Sequence, residues 1–285
     1  MSVITIFSAL HCNEQQIISQ LVSNIGYRLI DDKVVIDQAS KMSGISPERV
    51  SKAFNANTSL FNPFTHEKER SIAFLRQSVA EILAEDNLIV AGYCSHLIPA
   101  SISHILRICL VADTTYRQQI AQSSGSNQDS LPAIHKSDED KSSWVMQLRG
   151  QLDPWDPSLY DIVIPTDKIG EFECVELISR NLRSNVLAPT LQSQAAIADF
   201  ILQAKVQVAL TLEGHEVTVL VQEGQVTLTI EKNVLMLSRL EQELKDIVLN
   251  IPEVQSVTTA IGKNFHQADI YRKLEFQTPS RVLLV

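Results

Sequence analysis

Apolar positions in the first 183 residues follow two alternating periods. Residues 3–6 read as a short buried strand, and Ile17, Ile18, Leu21 and Val22 then recur at helical spacing up to Gly26, a helix stop. Residues 27–30 predict a second strand and 32–42 a helix ended by Gly44. Ser46-Pro47-Glu48 opens another helix, with Ser46 as N-cap and Pro47 in the first turn. Past a polar, turn-rich stretch at 55–65, Ile72, Leu75, Val79, Ile82 and Leu83 line one face of a helix over 67–85, which feeds an apolar strand at 88–91. A strand over 105–111 meets Asp113, a cap for the helix that follows. The Ser/Gly/Asn/Gln-rich stretch 123–130 predicts a flexible loop, followed by a polar helix over 135–149, a last strand over 160–164 and a last helix over 171–183. This alternation predicts an α/β fold, a parallel sheet with helices on both faces.

Beyond residue 184 the grammar changes. Residues 184–194, around Pro189, lose the pattern and are expected to be a linker, and 195–212 predict a helix. Val217, Val219 and Val221 alternate with Thr218, Leu220 and Gln222; Glu223-Gly224 supplies a turn; Val226, Leu228 and Ile230 alternate again, which predicts a β-hairpin. A helix over 234–249 follows, with Leu237, Leu240, Leu244, Ile247 and Val248 as its stripe, and after Pro252 a strand over 254–260. The expected organisation is a first domain over 1–183, the linker 184–194, an α+β domain of order α-β-β-α-β over 195–262 and a tail over 263–285.

Length and composition fit that division: 285 residues with 45% hydrophobic content suffice for two cores. A net charge of −9 without strong bias between the halves excludes a nucleic-acid footprint and a polybasic membrane surface. The N-terminus lacks the basic and apolar regions of a secretory signal, and no run reaches about 18 apolar residues, so a cytoplasmic protein with no integral membrane segment is expected. Cysteines 12, 94, 109 and 174 form no C-x-x-C pair, which predicts reduced, packed thiols and no metal site.

The first strand and helix are joined by Phe7-Ser8-Ala9-Leu10-His11-Cys12-Asn13-Glu14. In nucleotide kinases a loop at this place is glycine-rich, so that backbone N–H groups close around phosphates, and a Lys or Arg adds positive charge. Here there is no glycine and no Lys or Arg, and the first basic residue is Arg28. Glu14 places a negative charge at the helix N-terminus, where it satisfies the dipole and repels phosphate.

Residues 2–183 nevertheless resemble the cytidylate kinase-like family of nucleoside monophosphate kinases. Val3-Ile4-Thr5-Ile6 corresponds to the strand before that family's S-R-E-x-G-S-G-G loop, and Gly26-Tyr27-Arg28-Leu29-Ile30-Asp31 to its G-Y-x-x-x-D. Ala91-Gly92-Tyr93-Cys94 takes the place of a G-R-C segment, Lys136-Ser137-Asp138 that of the K-T-D heading the mobile lid, and Asp153-Pro154-Trp155-Asp156-Pro157 with Tyr160-Asp161 resembles the stretch ahead of the last strand. The resemblance implies a P-loop kinase fold and a site for ATP with magnesium and CMP. It places Ser8 at the loop Arg, His11, Asn13 and Glu14 at glycines, Tyr93 at the Arg after Gly92, and Lys141 at a lid Arg. Phosphoryl transfer rests on positioning and charge neutralisation, so these departures imply a degenerate, pseudokinase-like domain with no catalytic residues.

Residues 217–262 resemble a BON domain, above all Val221-Gln222-Glu223-Gly224-Gln225-Val226-Thr227-Leu228 and Ile251-Pro252-Glu253-Val254-Gln255-Ser256-Val257. That module is a non-catalytic binding unit for protein or lipid. The tail Arg281-Val282-Leu283-Leu284-Val285 resembles the first strand of a response-regulator receiver; it is either a last strand of the BON-like domain or the front of a longer signalling protein.

The candidate site is therefore Ser8, His11, Cys12 and Asn13 in the degenerate loop, with Tyr93, Lys136, Asp138 and Lys141 as remnants of a nucleotide site. Cys12 is either a reactive thiol with a depressed pKa at a helix N-terminus or a packed small residue. Tyr93 either stacks on a base or plugs the vacated pocket. Arg28 and Asp31 lie near the monophosphate position, or Arg28 is a surface ion pair; Trp144 and Trp155 predict core or hinge packing. The function expected is that of a cytoplasmic bacterial regulatory protein, its kinase-like domain a scaffold or ligand sensor and its BON-like domain a means of association with a protein partner or with itself. The alternatives are an active cytidylate kinase-like enzyme using ATP and magnesium, and a BON-driven lipid-binding or self-association module.

Overall fold

Strand β1 (Val3–Ser8) lies at the centre of a five-stranded sheet with β2 (Arg28–Ile30), β3 (Leu88–Ala91), β4 (Ile105–Val111) and β5 (Ile162–Pro165), in the order β2-β3-β1-β4-β5. Every neighbouring pair is parallel. The architecture comes from a computed structural model that describes residues 3–56, 66–123, 130–263 and 265. The stretches expected to be turn-rich at 55–65 and loop-like at 123–130 fall mostly outside the described residues, as does the tail and with it the receiver-like segment.

Strands buried on both faces have little need to alternate, which is why 88–91 is apolar throughout and why 3–6 and 105–111 are interrupted only by Thr5 and Arg107. On one face Ile4, Ile6, Leu106, Ile108 and Leu110 pack with Ile17 and Leu21 of helix α1 (Glu14–Ile25) in one buried cluster. The cluster is completed by Cys174, Val175 and Ile178 from the helix that follows β5 (Glu171–Leu182). Each fully buried aliphatic side chain here contributes about 2 kcal/mol. Helices α2 (Asp32–Ser43), α3 (Pro47–Ser51), α4 (Glu67–Ile82), α5 (Thr114–Ser123), α6 (Leu131–Arg149) and α7 (Glu171–Leu182) make up the rest. Helix α1 stops at Gly26, whose φ of 70° lets its N–H reach the Val22 carbonyl. Asp31 caps α2 by accepting the Val34 N–H, and Asp113 accepts that of Thr115 at the start of α5. Ser46 stands at the N-cap of α3 but makes no side-chain cap bond. Helix α6 starts four residues before the expected 135, because Pro132 fits a first helical turn.

The chain divides into two units, Met1–Ala204 and Lys205–Val285, and the division falls inside helix α8 (Leu191–Leu212), which itself starts within the segment expected to be a linker. The second unit has a three-stranded sheet of β6 (Thr218–Gln222), β7 (Gln225–Ile230) and β8 (Ser256–Ile261), with β6 and β7 antiparallel and β7 and β8 parallel. Glu223 and Gly224, both at positive φ, make the two-residue hairpin turn. Val219, Val221, Val226, Leu228 and Ile230 are buried, as are Leu244 and Val248 of α9 (Leu237–Leu249). Among the described residues one helix, α8, is long and apolar enough to cross a membrane by length and composition, with a third of that stretch buried inside the structure. Scattered polar residues along it broke the uninterrupted run sought in the sequence.

Candidate functional site

The loop between β1 and α1 makes its turn without glycine. His11 and Asn13 sit at φ of 62° and 60°, the left-handed region, each at a position where the resemblance places a glycine. For residues with side chains this costs roughly 1 kcal/mol apiece. Ser8 ends β1 in register with Leu110, and the Ala9 N–H donates to the Leu110 carbonyl at 2.8 Å, so the strand runs into the loop. The Asn13 amide donates to the Tyr116 hydroxyl at 2.9 Å. Glu14 turns back: its Oε2 accepts the Cys12 backbone N–H at 3.1 Å. The protein's own carboxylate therefore occupies a backbone donor that a phosphate would use.

Cys12 is fully buried and its thiol donates to the Ala9 carbonyl at 3.0 Å. Burial first, then the Glu14 charge, pushes its pKa well above the usual thiol range. The shift is opposite in sign to the depressed value a reactive helix-terminal thiol needs, which corrects that alternative.

The loop is empty of cations in sequence, and the fold supplies them from elsewhere. Arg117 of α5, 4% exposed, donates Nε–H to the Leu10 carbonyl at 2.8 Å and grips both oxygens of Asp138 at 2.8 Å each. Lys141, also buried, donates to the Ser137 hydroxyl at 2.7 Å and lies 5.4 Å from the centre of the Tyr93 ring. Burial pulls the Lys141 pKa down, opposed by the charges of Asp138 and Glu14. Sequence reading missed Arg117: its partners are 107 and 21 positions away, and its only local signal is a place one turn after the Asp113 cap.

Tyr93 is packed into an aromatic group. Its ring stacks on Phe54 with centroids 4.8 Å apart and meets Trp144 edge-on at 6.3 Å and Phe7 at 6.2 Å. The Trp144 indole donates to the Tyr93 carbonyl at 2.8 Å. Trp155 lies 5.6 Å from Phe7, so both tryptophans belong to this packing. Asp32, adjacent to the Asp31 singled out in sequence, accepts the backbone N–H groups of Tyr93 and Cys94 at 2.9 and 2.8 Å. Its burial raises its pKa, against the lowering effect of those two bonds. Only glycine fits at 92: φ is 103°, and a Cβ there would stand 2.2 Å from Asp32 Oδ2.

Of the other candidates, Lys136 pairs along its own helix with Asp140 at 2.8 Å, and Arg28 forms an exposed ion pair with Glu85 at 2.7 Å. The fold thus gathers His11, Cys12, Asn13, Tyr93, Asp138 and Lys141 around the loop, while Lys136 engages Asp140, a largely buried carboxylate that also accepts the Ala56 N–H, and Arg28 engages the exposed Glu85.

A family model described as the cytidylate kinase-like family matches residues 3–168, more than half of the chain. The chain belongs to the cytidylate kinase-like family. Solved structures similar to this family member include an uncharacterized protein from Eubacterium ventriosum, at 11% identity over 65% of this chain and 100% of that one with a TM-score of 0.47. Shikimate kinase from Acinetobacter baumannii in complex with shikimate matches at 12% identity, 65% and 94% coverage and a TM-score of 0.38. Deoxyadenosine kinase from M. mycoides with bound dATP matches at 11% identity, 64% and 100% coverage and a TM-score of 0.35. No curated protein matches.

Proposed function

We propose that this chain is a regulatory protein in which the cytidylate kinase-like domain is catalytically impaired and acts as a scaffold or ligand sensor, and a BON-like second domain mediates association with a protein partner or another copy. One observation carries the first half: a loop N–H and the nearest buried guanidinium are already satisfied by the protein's own carboxylates, Glu14 and Asp138. A triphosphate entering here must displace both and desolvate beside them. Tyr93, stacked on Phe54, fills space next to the loop with a ring in place of a guanidinium. The hairpin, helix and strand of the second unit, with β7 and β8 parallel, support the BON-like reading.

A second reading, transfer of phosphate from ATP to CMP, is favoured by Arg117 and Lys141, which bring two cations to the loop. Titration calorimetry with ATP and magnesium, CMP and CDP, paired with a coupled phosphotransfer assay, separates the two. The impaired domain gives no turnover and no bound donor. Turnover abolished by Arg117→Gln overturns the proposal. Sedimentation of the whole chain tests association: a strictly monomeric chain with no partner retained removes the BON half.

A further inference from the structure

The two sheets of this chain treat their edges differently. An edge strand carries a row of unpaired N–H and C=O groups, and proteins blunt it by shortness, charge or proline. In the first sheet both edges follow that rule: β2 is three residues long and begins with the exposed Arg28, and β5 ends in Pro165. Strand β8, an edge of the second sheet, does not. Its residues, Ser256-Val257-Thr258-Thr259-Ala260-Ile261, include no charge, no proline and no glycine, and their register with β7 is unbroken. On β6, the opposite edge, Val219 already has a partner.

The ladder fixes which groups of β8 are left over. Gln255 donates its N–H to the Gly224 carbonyl, and backbone groups alternate in direction along a strand. Val257 and Thr259 therefore face β7, while Ser256, Thr258 and Ala260 turn their N–H and C=O outward. Among the described residues nothing bonds to those outward groups. The side chains of Ser256, Thr258 and Ala260 are exposed on the sheet face opposite the buried Val226 and Leu228.

We propose that β8 pairs antiparallel with β8 of a second copy across a two-fold axis, joining two three-stranded sheets into one. This rests on the reading of the second unit as the associating one, and names its surface and its partner. Setting Thr258 against Thr258 of the second copy uses every outward residue, since Ser256 then meets Ala260, and each such pair exchanges two N–H···O=C bonds. The side chains that meet are small and uncharged, whereas a chain of net charge −9 repels its copy over most of its surface. At both ends the same register carries the exposed Lys263 of one copy toward Glu253 of the other. Lys263 forms no ion pair among the described residues, and Glu253, half exposed, is held by Lys205. Glu241, which accepts from the Thr259 hydroxyl at 2.9 Å, belongs to α9 on the covered face.

The test is sedimentation equilibrium of the whole chain across a wide concentration range. A reversible dimer is expected. Thr258→Lys places two like charges opposite each other at the axis and should weaken it about tenfold or more. Thr218→Lys puts the same charge on the same sheet face but on β6, and leaves the dimer unchanged; an equal loss there would mean that the face docks, not the edge, and overturns the proposal. Lys263→Glu and Glu253→Lys each oppose like charges at both ends of the pairing and weaken self-association. Mixed together they restore opposite charges at both ends, so the mixture is expected to dimerise where neither variant alone does. Circular dichroism of the dilute variants shows whether the fold is kept, and the recovery on mixing cannot come from misfolded chains. A dimer indifferent to Thr258→Lys, no recovery on mixing, or an open series of larger species overturns this pairing and leaves the associating role standing. A chain that stays monomeric but retains a different protein also overturns the pairing alone. A monomeric chain that retains none removes the associating role with it.

Discussion

Arg117 holds Asp138 by two hydrogen bonds of 2.8 Å while its Nε holds the Leu10 carbonyl, so one side chain ties the loop before α1 to helix α6. Asp138→Asn keeps one acceptor and removes the charge, leaving a guanidinium that is 4% exposed without a counter-ion. Breaking such a pair costs about 3 kcal/mol when both partners are buried. Asp138 is 30% exposed, so solvent screens part of this and a loss of about 2 kcal/mol is expected from urea unfolding.

If the loop is closed by its own acids, removing them should open it. The double variant Glu14→Gln, Asp138→Asn is expected to bind inorganic tripolyphosphate measurably by calorimetry, where the wild type shows no heat. Equal silence from both proteins would mean that the side chains at His11 and Asn13, not charge, close the loop.

Gly92→Ala puts a methyl group into the Asp32 carboxylate at a φ of 103°, and about 3 kcal/mol of destabilisation is expected. Asp32→Ala in the same chain removes the collision but not the backbone strain. A double-mutant cycle should therefore return a coupling energy of more than 1 kcal/mol, and additive losses would sink this account.

His96 is buried, its Nε2 3.1 Å from the Tyr160 hydroxyl, and burial with Arg149 and Arg107 lowers its pKa from 6.5 to about 3. The unfolded chain takes up a proton below pH 6.5 that the native state refuses. Stability from His96 is therefore full above pH 6.5 and falls as the pH drops toward 3, by about 1.4 kcal/mol per unit. Against His96→Phe, the wild type should lose roughly 2 kcal/mol of relative stability between pH 6.5 and 5, measured by urea unfolding.

All four cysteines are buried. Burial raises the Cys109 pKa to about 12 and that of Cys12 higher still. Ellman's reagent should find no reactive thiol in the native protein and four in urea; a fast-reacting Cys12 would contradict the packing described.

The sheet was legible because its central strands are apolar on both faces except at Thr5 and Arg107 and at Ser8, and because the first two helices end at Gly26 and Gly44. The missing glycines of the loop were legible too, as was its lack of cations. What replaced them was not: a helix pattern cannot tell that Arg117 turns inward to a carbonyl 107 positions earlier. Asp31 and Asp32 are adjacent and chemically equal in sequence. One caps α2 and the other is buried under Gly92, a difference set by where β3 delivers its following residue.

The position of β1 has a kinetic side. Among the described residues β1 pairs only with β3 and β4, residues 88–91 and 105–111, which follow it in synthesis, so its ladder waits until both have been made. Until then Val3 to Phe7 is a solvent-exposed apolar segment, and loop closure over such separations slows assembly. Chaperone occupancy on nascent chains should peak before β4 emerges and fall once it does.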